Sequence, residues 1–274
     1  TGDDFTHLGL HICPDIDSIL YQLSGLLDEE RGWGRAGDTF SFLEGVRGLG
    51  GETWFGLGDR DLAMHVLRTH LLSRGLSLTD VTRKLAAGLG VSGAVLPMSD
   101  DRVQTRIVTD RGTLTFNEFL VRDRALPHVR HIFYDGSEAA RSAPGVVQAI
   151  ADADLIVIGP SNPLAGIGPI ISIRSIREAL RRFRCKVVAV SPIIGGSAIS
   201  GPSGQFMEAE GVEVSVRGVA RLYYDIASRI FAQDSDVKCQ GDGTQPRLIA
   251  ADVLMRDARD SRRLANEIVS RCEL

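Results

Sequence analysis

Two short apolar runs, Leu155-Ile156-Val157-Ile158 and Val187-Val188-Ala189-Val190, constrain the fold of this 274-residue chain most strongly. A helical pattern over 175–183 separates them, and each run leads into a loop rich in Gly, Pro and Ser. Strands without polar alternation are covered on both faces, and a crossover helix between two of them makes them parallel neighbours. The pattern predicts an α/β fold that binds its ligands in the loops beyond the carboxyl ends of those strands.

The first half reads differently. Helices are expected over 15–25, opened by Pro14 and acidic residues, and over 38–48. A third, over 60–74, is amphipathic through Leu62, Val66, Leu67 and Leu71 and closes at Gly75. Ser77-Leu78-Thr79-Asp80 is close to a capping box and predicts a helix over 78–88. Residues 103–109, the turn Asp110-Arg111-Gly112 and residues 113–121 predict a hairpin. The organisation expected is a core of 1–75 and 126–274 carrying a smaller helix-plus-hairpin subdomain over 76–125. After 212 the pattern predicts a helix near 218–231, an irregular polar stretch over 233–246, a strand near 248–254 and a terminal helix from 258.

Composition narrows the function. At 43% hydrophobic and 24% charged the chain can bury a core. Its net charge of −4 speaks against a nucleic-acid binder driven by a basic surface. No apolar stretch approaches the roughly 18–20 residues of a membrane helix, and Thr1-Gly2-Asp3-Asp4 does not read as a secretory leader. Cys13, Cys185, Cys239 and Cys272 are scattered without a CxxC pair, as for reduced thiols of a cytoplasmic protein. Glycine, with 30 residues, is well above the roughly 7% typical of globular chains. Arginine outnumbers lysine 28 to 3, a skew that coding bias explains as well as ligand chemistry does.

Several motifs carry nothing by themselves. Gly32-Trp33-Gly34-Arg35-Ala36-Gly37 spells GxGxxG but follows the charged turn Asp28-Glu29-Glu30-Arg31, not a strand. There is no Gly-Lys-Ser/Thr phosphate loop and no nucleophile elbow. The pairs His7/His11 and His128/His131 have spacings a metal can use, without partners that the sequence alone brings to them.

Acidic and glycine-rich loops remain. Asp3, Asp4, Asp15 and Asp17 place four carboxylates within 17 residues. Asp15 and Asp17 either cap a helix or join a neighbouring carboxylate around Mg²⁺, which takes one or two carboxylates plus substrate phosphates. Gly56-Leu57-Gly58-Asp59-Arg60-Asp61 leads into a helix start, which either caps itself or offers N–H groups and Arg60 to an anion. Leu96-Pro97-Met98-Ser99-Asp100-Asp101 is a third acidic cluster, either a ligand loop or a solvated turn. Gly159-Pro160-Ser161-Asn162-Pro163, continuing through Gly166-Ile167-Gly168-Pro169, follows the first core strand; Ser191-Pro192-Ile193-Ile194-Gly195-Gly196 follows the second. Small residues in both places let backbone N–H groups approach a phosphate or a ring edge.

Taken in order, Thr1-Gly2-Asp3-Asp4, Cys13-Pro14-Asp15-Ile16-Asp17, Leu57-Gly58-Asp59-Arg60-Asp61, Leu96-Pro97-Met98-Ser99-Asp100-Asp101, the Gly159–Pro163 string with Ile167-Gly168-Pro169, and Val190-Ser191-Pro192-Ile193-Ile194-Gly195 resemble the 2-phospho-L-lactate transferase family from residue 1 to about 225. The resemblance implies a Rossmann-like three-layer α/β fold with a mainly parallel sheet and a smaller inserted α+β subdomain, usually dimeric. It implies a Mg²⁺-dependent transferase of coenzyme F420 biosynthesis. Such an enzyme moves a phospholactyl or phosphoenolpyruvyl group from a guanosine diphosphate-linked donor to the hydroxyl of the deazaflavin Fo, and GMP leaves. Asp4 and Asp17 would then hold the metal, with Asp17 as metal ligand or base. Gly56, Gly58, Asp59 and Arg60 would face the pyrophosphate or Fo, beside Ser99 and Asp100. Ser161, Asn162, Gly168, Ser191 and Gly195 would hold the guanosine or donor phosphates. The family pattern starts with a strand and glycine-rich loop ahead of the Gly-Asp-Asp segment, so the sequence as given is expected to begin inside that pattern. Some relatives also carry a basic residue where Gly56 stands. The competing reading is a nucleotide-sugar-binding regulator of the related gluconeogenesis-factor group, without transferase activity.

Overall fold

The computed structural model describes residues 2–238 and 246–272 in two compact units. The first comprises Thr1–Arg106, Leu114–Pro127 and Tyr134–Pro144; the second comprises Ile107–Thr113, His128–Phe133 and Gly145–Leu274. Thr1, Cys239 and the 239–245 part of the expected irregular stretch lie outside the described residues.

In the first unit, β1 (Phe5–His7) pairs antiparallel with β2 (Leu10–Ile12), setting Phe5 opposite Ile12 and Thr6 opposite His11. The turn Leu8-Gly9 has φ of 50° and 77°, the two-residue geometry whose twist matches a hairpin. Helix α1 (Pro14–Ser24) starts on Pro14, whose missing N–H costs nothing in a first turn. It ends at Gly25 with φ 70°, and the Leu26 N–H reaches back to the Tyr21 carbonyl at 2.8 Å.

The next two helices, α2 (Ser41–Gly48) and α3 (Asp59–Ser73), exchange caps. Asp38 accepts the N–H groups of Arg60 and Asp61 at 2.7 and 2.9 Å, and Asp59 accepts those of Ser41 and Phe42 at 3.0 and 2.9 Å. Both carboxylates thereby satisfy donors that a helix start leaves unpaired. Gly58 is needed between them, because a side chain there would run into the Asp38 carboxylate. Helix α4 (Leu78–Gly88) begins where its capping string predicts, with Ser77 Oγ accepting the Asp80 N–H at 3.1 Å.

Leu20, Ile16, Met64, Val81 and Leu85 form a core shared by α1, α3 and α4. The face that α3 buries differs from the apolar stripe expected. Val66 and Leu67 are 49% and 46% exposed, whereas Asp61, Met64, His65 and Arg68 point inward. Polar residues occupy that face because they satisfy one another, as described below.

Strands β3 (Gln104–Thr109), β4 (Gly112–Thr115) and β5 (Val129–Asp135) form a sheet in the order β4–β3–β5. The expected hairpin is present, but its second strand stops at Thr115 and Glu118–Arg122 coil into a short π-helical turn. Glu118 ends the strand by accepting the Thr115 N–H and hydroxyl at 2.8 and 3.0 Å.

The second unit continues with α5 (Val146–Asp152), β6 (Ile156–Ile158), α6 (Ile167–Ser172), α7 (Arg174–Arg182), β7 (Val187–Val190), β8 (Ile193–Ile194) and β9 (Ser197–Ala198). It is completed by α8 (Ser203–Ala209), α9 (Val216–Leu222), β10 (Arg229–Ala232), α10 (Asp234–Lys238), β11 (Arg247–Ala250) and α11 (Ala258–Arg271). Its sheet is parallel, in the order β11–β10–β7–β6, with the two runs singled out from sequence paired Ile156 to Val187 and Ile158 to Ala189. All four residues of β7 are at most 2% exposed, as a strand covered on both faces requires. The helix expected near 218–231 ends at Leu222, because Ile230, Phe231 and Ala232 belong to β10 between β7 and β11. A four-residue apolar run does not distinguish strand from helix by periodicity. Among the described residues no helix is long and apolar enough to cross a membrane.

Candidate active site

A cavity of about 530 Å³ lies within the first unit. One wall comes from the segment leading into β3. Arg102, Gln104 and Arg106 line the cavity; of the alternating Val103, Thr105 and Ile107, buried at 4%, 0% and 0% exposure, only Val103 also reaches the lining. This is the period of two of a strand with one polar face. Gln104 Oε1 accepts from Arg102 Nη2 at 2.6 Å and from Arg106 Nη1 at 3.3 Å, and Gln104 Nε2 donates to the Asp4 carbonyl at 3.2 Å. One amide thus holds two guanidinium groups side by side, an arrangement suited to phosphate or carboxylate oxygens.

Aromatic rings supply another wall. Phe5 and Trp54 line the cavity with ring centroids 6.0 Å apart; Phe55 stands edge-on to Phe5 at 4.8 Å and His7 edge-on to Trp54 at 5.0 Å. Asp4, Ser99, Asp100 and Glu118 also reach the cavity. The combination suits a flat ring bearing an anionic tail, with carboxylates at hand for a cation or a proton.

Asp4 and Asp17 have different surroundings. Asp4 is half-buried on the cavity lining, directly before β1. Asp17, in the first turn of α1, is 4% exposed and does not line the cavity. Its two carboxylate oxygens accept from both terminal nitrogens of Arg68, a fully buried residue of α3. His65 stands between two acids, with Nδ1 3.5 Å from Asp17 Oδ2 and Nε2 3.3 Å from Asp61 Oδ2. Tyr21 donates its hydroxyl to Asp61 Oδ1 at 2.6 Å. Burial pushes the Asp17 carboxyl up, against the pull of Arg68 and His65. Burial also acts most strongly on Asp61, but there the bonds from His65 and Tyr21 prevail and hold the carboxyl below its usual range.

Two trios among the described residues bring candidate metal-ligand atoms within 4.8 Å of one another: Asp4, His11 and Cys13, and Asp17, Asp61 and His65. Asp4 fits Mg²⁺, which needs one or two carboxylates and completes its shell with phosphates and water. Asp17 falls in the other trio, and both of its carboxylate oxygens serve Arg68.

The other expected site residues fall in distinct places. At Gly56 the backbone packs against the Trp33 ring, which would stand 2.7 Å from an added side chain. The N–H groups expected to meet an anion at the start of α3 are taken by Asp38, and Asp59 is occupied as the cap of α2. Arg60 is exposed. In the acidic cluster, Ser99 Oγ donates to the Arg141 carbonyl at 2.6 Å and accepts the Asp101 N–H at 2.9 Å. Asp100 accepts the Thr79 N–H and hydroxyl at 2.7 and 2.8 Å. That segment is a built turn whose side chains also face the cavity.

In the second unit, Ser161, Asn162 and Gly168 follow β6, and Ser191 and Gly195 follow β7, beyond the carboxyl ends of parallel strands. Asn162 Oδ1 accepts the N–H groups of Leu164 and Ala165, each at 3.0 Å, while its Nδ2 is buried without a hydrogen bond among the described residues. Ser191 is fully buried, its Oγ accepting the Ile193 N–H at 3.1 Å. Gly195 donates its N–H to the Asp236 carboxylate at 3.0 Å, so this loop already accommodates an anionic group.

Arg102, Gln104, Arg106 and Trp54 were not expected from sequence. The alternation through 102–107 was the available signal for the first three. Trp54 had none, because its loop has no periodicity.

A family model described as 2-phospho-L-lactate transferase CofD matches residues 1–239. The 2-phospho-L-lactate transferase of Methanosarcina mazei is 41% identical over 272 residues, covering 98% of this chain and 89% of the relative. The phosphoenolpyruvate transferase of Kitasatospora aureofaciens is 44% identical over 228 residues, covering 81% of this chain and 71% of the relative. A crystal structure of a Bacillus halodurans protein superposes with a TM-score of 0.54 at 16% identity, over 92% of this chain and 82% of that one, a likeness of fold.

Proposed function

The chain belongs to the 2-phospho-L-lactate transferase CofD family, and from that premise we propose that it moves a phospholactyl or phosphoenolpyruvyl group from a guanosine diphosphate-linked donor to the hydroxyl of the deazaflavin Fo, releasing GMP, in coenzyme F420 biosynthesis. The observation that carries this reading is the first unit's cavity, where two guanidinium groups held on one amide share a lining with aromatic rings and the Asp4 carboxylate. Such a lining matches an acceptor with a flat ring and a donor with phosphates.

Transfer between phosphates is mostly positioning and neutralisation of charge. Arg106 takes the negative charge of the transferring group, beside Arg102, whose terminal nitrogens also meet Gln104 and Asp135. Trp54 and Phe5 hold the ring of the acceptor and keep water from that side. Asp4 would hold Mg²⁺, with Asp17 as the second carboxylate, and the ion would supply Lewis acidity there. A carboxylate oxygen of Asp4, on the cavity lining, accepts the proton of the attacking hydroxyl.

Ligand-induced stabilisation tests the reading against a nucleotide-sugar-binding regulator. Fo at 100 times its Kd stabilises the protein by about 2.7 kcal/mol. Stabilisation by a nucleotide sugar and none by Fo rejects the transferase.

A further inference from the structure

We propose that Gln104 is a positioning residue of the cavity, its amide fixing the guanidinium groups of Arg102 and Arg106 relative to the backbone of Asp4. This role rests on the proposed function, which gives the guanidinium groups phosphates to meet. Gln104 opens β3 and is 6% exposed. Its Oε1 accepts from Arg102 Nη2 and Arg106 Nη1, while its Nε2 donates to the Asp4 carbonyl. An amide has an acceptor end and a donor end, so one orientation alone satisfies all three partners.

The Asp4 end of this link belongs to a larger brace. Three consecutive carbonyls each receive a donor: Gly2 from the Thr105 N–H at 2.7 Å, Asp3 from Asn117 Nδ2 at 2.7 Å, and Asp4 from Gln104 Nε2 at 3.2 Å. Asn117 and Gln104 are both buried, where a hydrogen bond left unmade costs most. Strand β3, which carries Arg106, thereby also fixes the segment that carries the Asp4 side chain. The bond from Gln104 goes to the Asp4 backbone and makes no demand on its carboxylate.

Charge explains why the residue is an amide. A carboxylate at this position would meet the same guanidinium groups but cancel the positive charge that a phosphate needs. The neutral Gln104 oxygen holds them without cancelling it. Arg102 also meets Asp135, with Nη1 3.3 Å from Oδ2, whereas among the described residues no carboxylate pairs with Arg106. Gln104 therefore bears most on Arg106, which has no other side-chain hydrogen bond among the described residues. Loss of the amide lets Arg106 swing and loosens the Asp4 backbone, and misplacing a reacting group by about 1 Å costs roughly 10²-fold in rate.

Calorimetric titration with inorganic pyrophosphate, standing in for the donor's phosphates, and separately with Fo tests the role without turnover. Two variants are compared with the unaltered protein: Gln104→Leu, which keeps the volume and neither bond, and Gln104→Glu, which keeps an acceptor and adds a negative charge. Each is expected to weaken pyrophosphate at least about tenfold while Fo affinity stays within about twofold. Gln104→Leu also lowers kcat at least about tenfold, and its loss of pyrophosphate affinity is not additive with that of Arg106→Gln. A merely structural role would instead weaken both ligands alike. Where Gln104→Leu does not fold, the binding pattern of Gln104→Glu decides. No pyrophosphate binding by the unaltered protein, an unchanged pyrophosphate affinity in a folded variant, or equal losses for pyrophosphate and Fo overturns the proposal. Absence of transfer by the unaltered protein, with the pyrophosphate pattern as expected, rejects the transferase reading and leaves the link between Gln104 and the guanidinium groups standing.

Discussion

Asp17 and Arg68 form a two-point ion pair in the interior of the first unit, joining the first turn of α1 to the middle of α3. Neither carries appreciable exposed surface, so each depends on the other for its charge. Removing one partner leaves a buried, uncompensated ion, at a cost of about 3–5 kcal/mol. Arg68→Met is therefore expected to lose about that much stability in urea unfolding. The double variant Asp17→Asn/Arg68→Met loses less than the sum of the two single changes. Additive losses would show that the pair is not coupled.

The exchanged caps give a second expectation. Asp38→Ala and Asp59→Ala each remove a carboxylate that holds two helix-start N–H groups, and each is expected to cost about 1 kcal/mol. Asn at either position keeps an acceptor oxygen and recovers part of the loss. Urea midpoints at constant slope measure both.

These two networks also show where sequence reading succeeds and stops. The parallel strands β6 and β7 were legible because their apolar runs and the helix between them are local patterns. So was α4, through the Ser77 cap. Asp17 was legible as an acidic residue at a helix start, but its pairing with Arg68 spans 51 positions and leaves no local trace. Arg68 and His65 lie on the face of α3 that hydropathy assigns to solvent, because the pattern cannot register that buried charges satisfy one another. Asp59 was legible as an acidic residue at a helix start, but not its capping of α2, through contacts 17 and 18 positions away. Asp4 and the Ser99-Asp100 turn were picked out by their strings, while the guanidinium pair beside them required the strand's register.

His7 makes folding sensitive to pH. Burial among aromatic rings lowers its pKa below the ordinary 6.5, with Glu52 opposing. The unfolded chain therefore takes up the proton first, and stability present above about pH 6.5 is lost as pH falls through that value toward the folded pKa. His7→Phe is expected to flatten this part of the stability profile. Unfolding midpoints at about pH 7.5, 6.5 and 5.5 show it; an unchanged slope between them assigns the acid sensitivity elsewhere.

Arg106 bears on donor binding. If it meets the donor's phosphates, Arg106→Gln removes a charge-assisted bond worth about 1.5–3 kcal/mol, raising the donor KM about tenfold or more. The KM for Fo stays near its original value. Equal changes in both would show that the substitution distorts the cavity instead.

Transfer itself is tested most directly by incubating the protein with Fo, Mg²⁺ and each guanosine diphosphate-linked three-carbon donor in turn, then identifying products by mass spectrometry. The predicted result is Fo carrying the donor's phosphorylated three-carbon group, with one GMP released per product. Asp4→Asn is expected to reduce that product to background while the fold is kept. No product from any donor, under conditions where Fo and donor both bind, would contradict the transferase assignment.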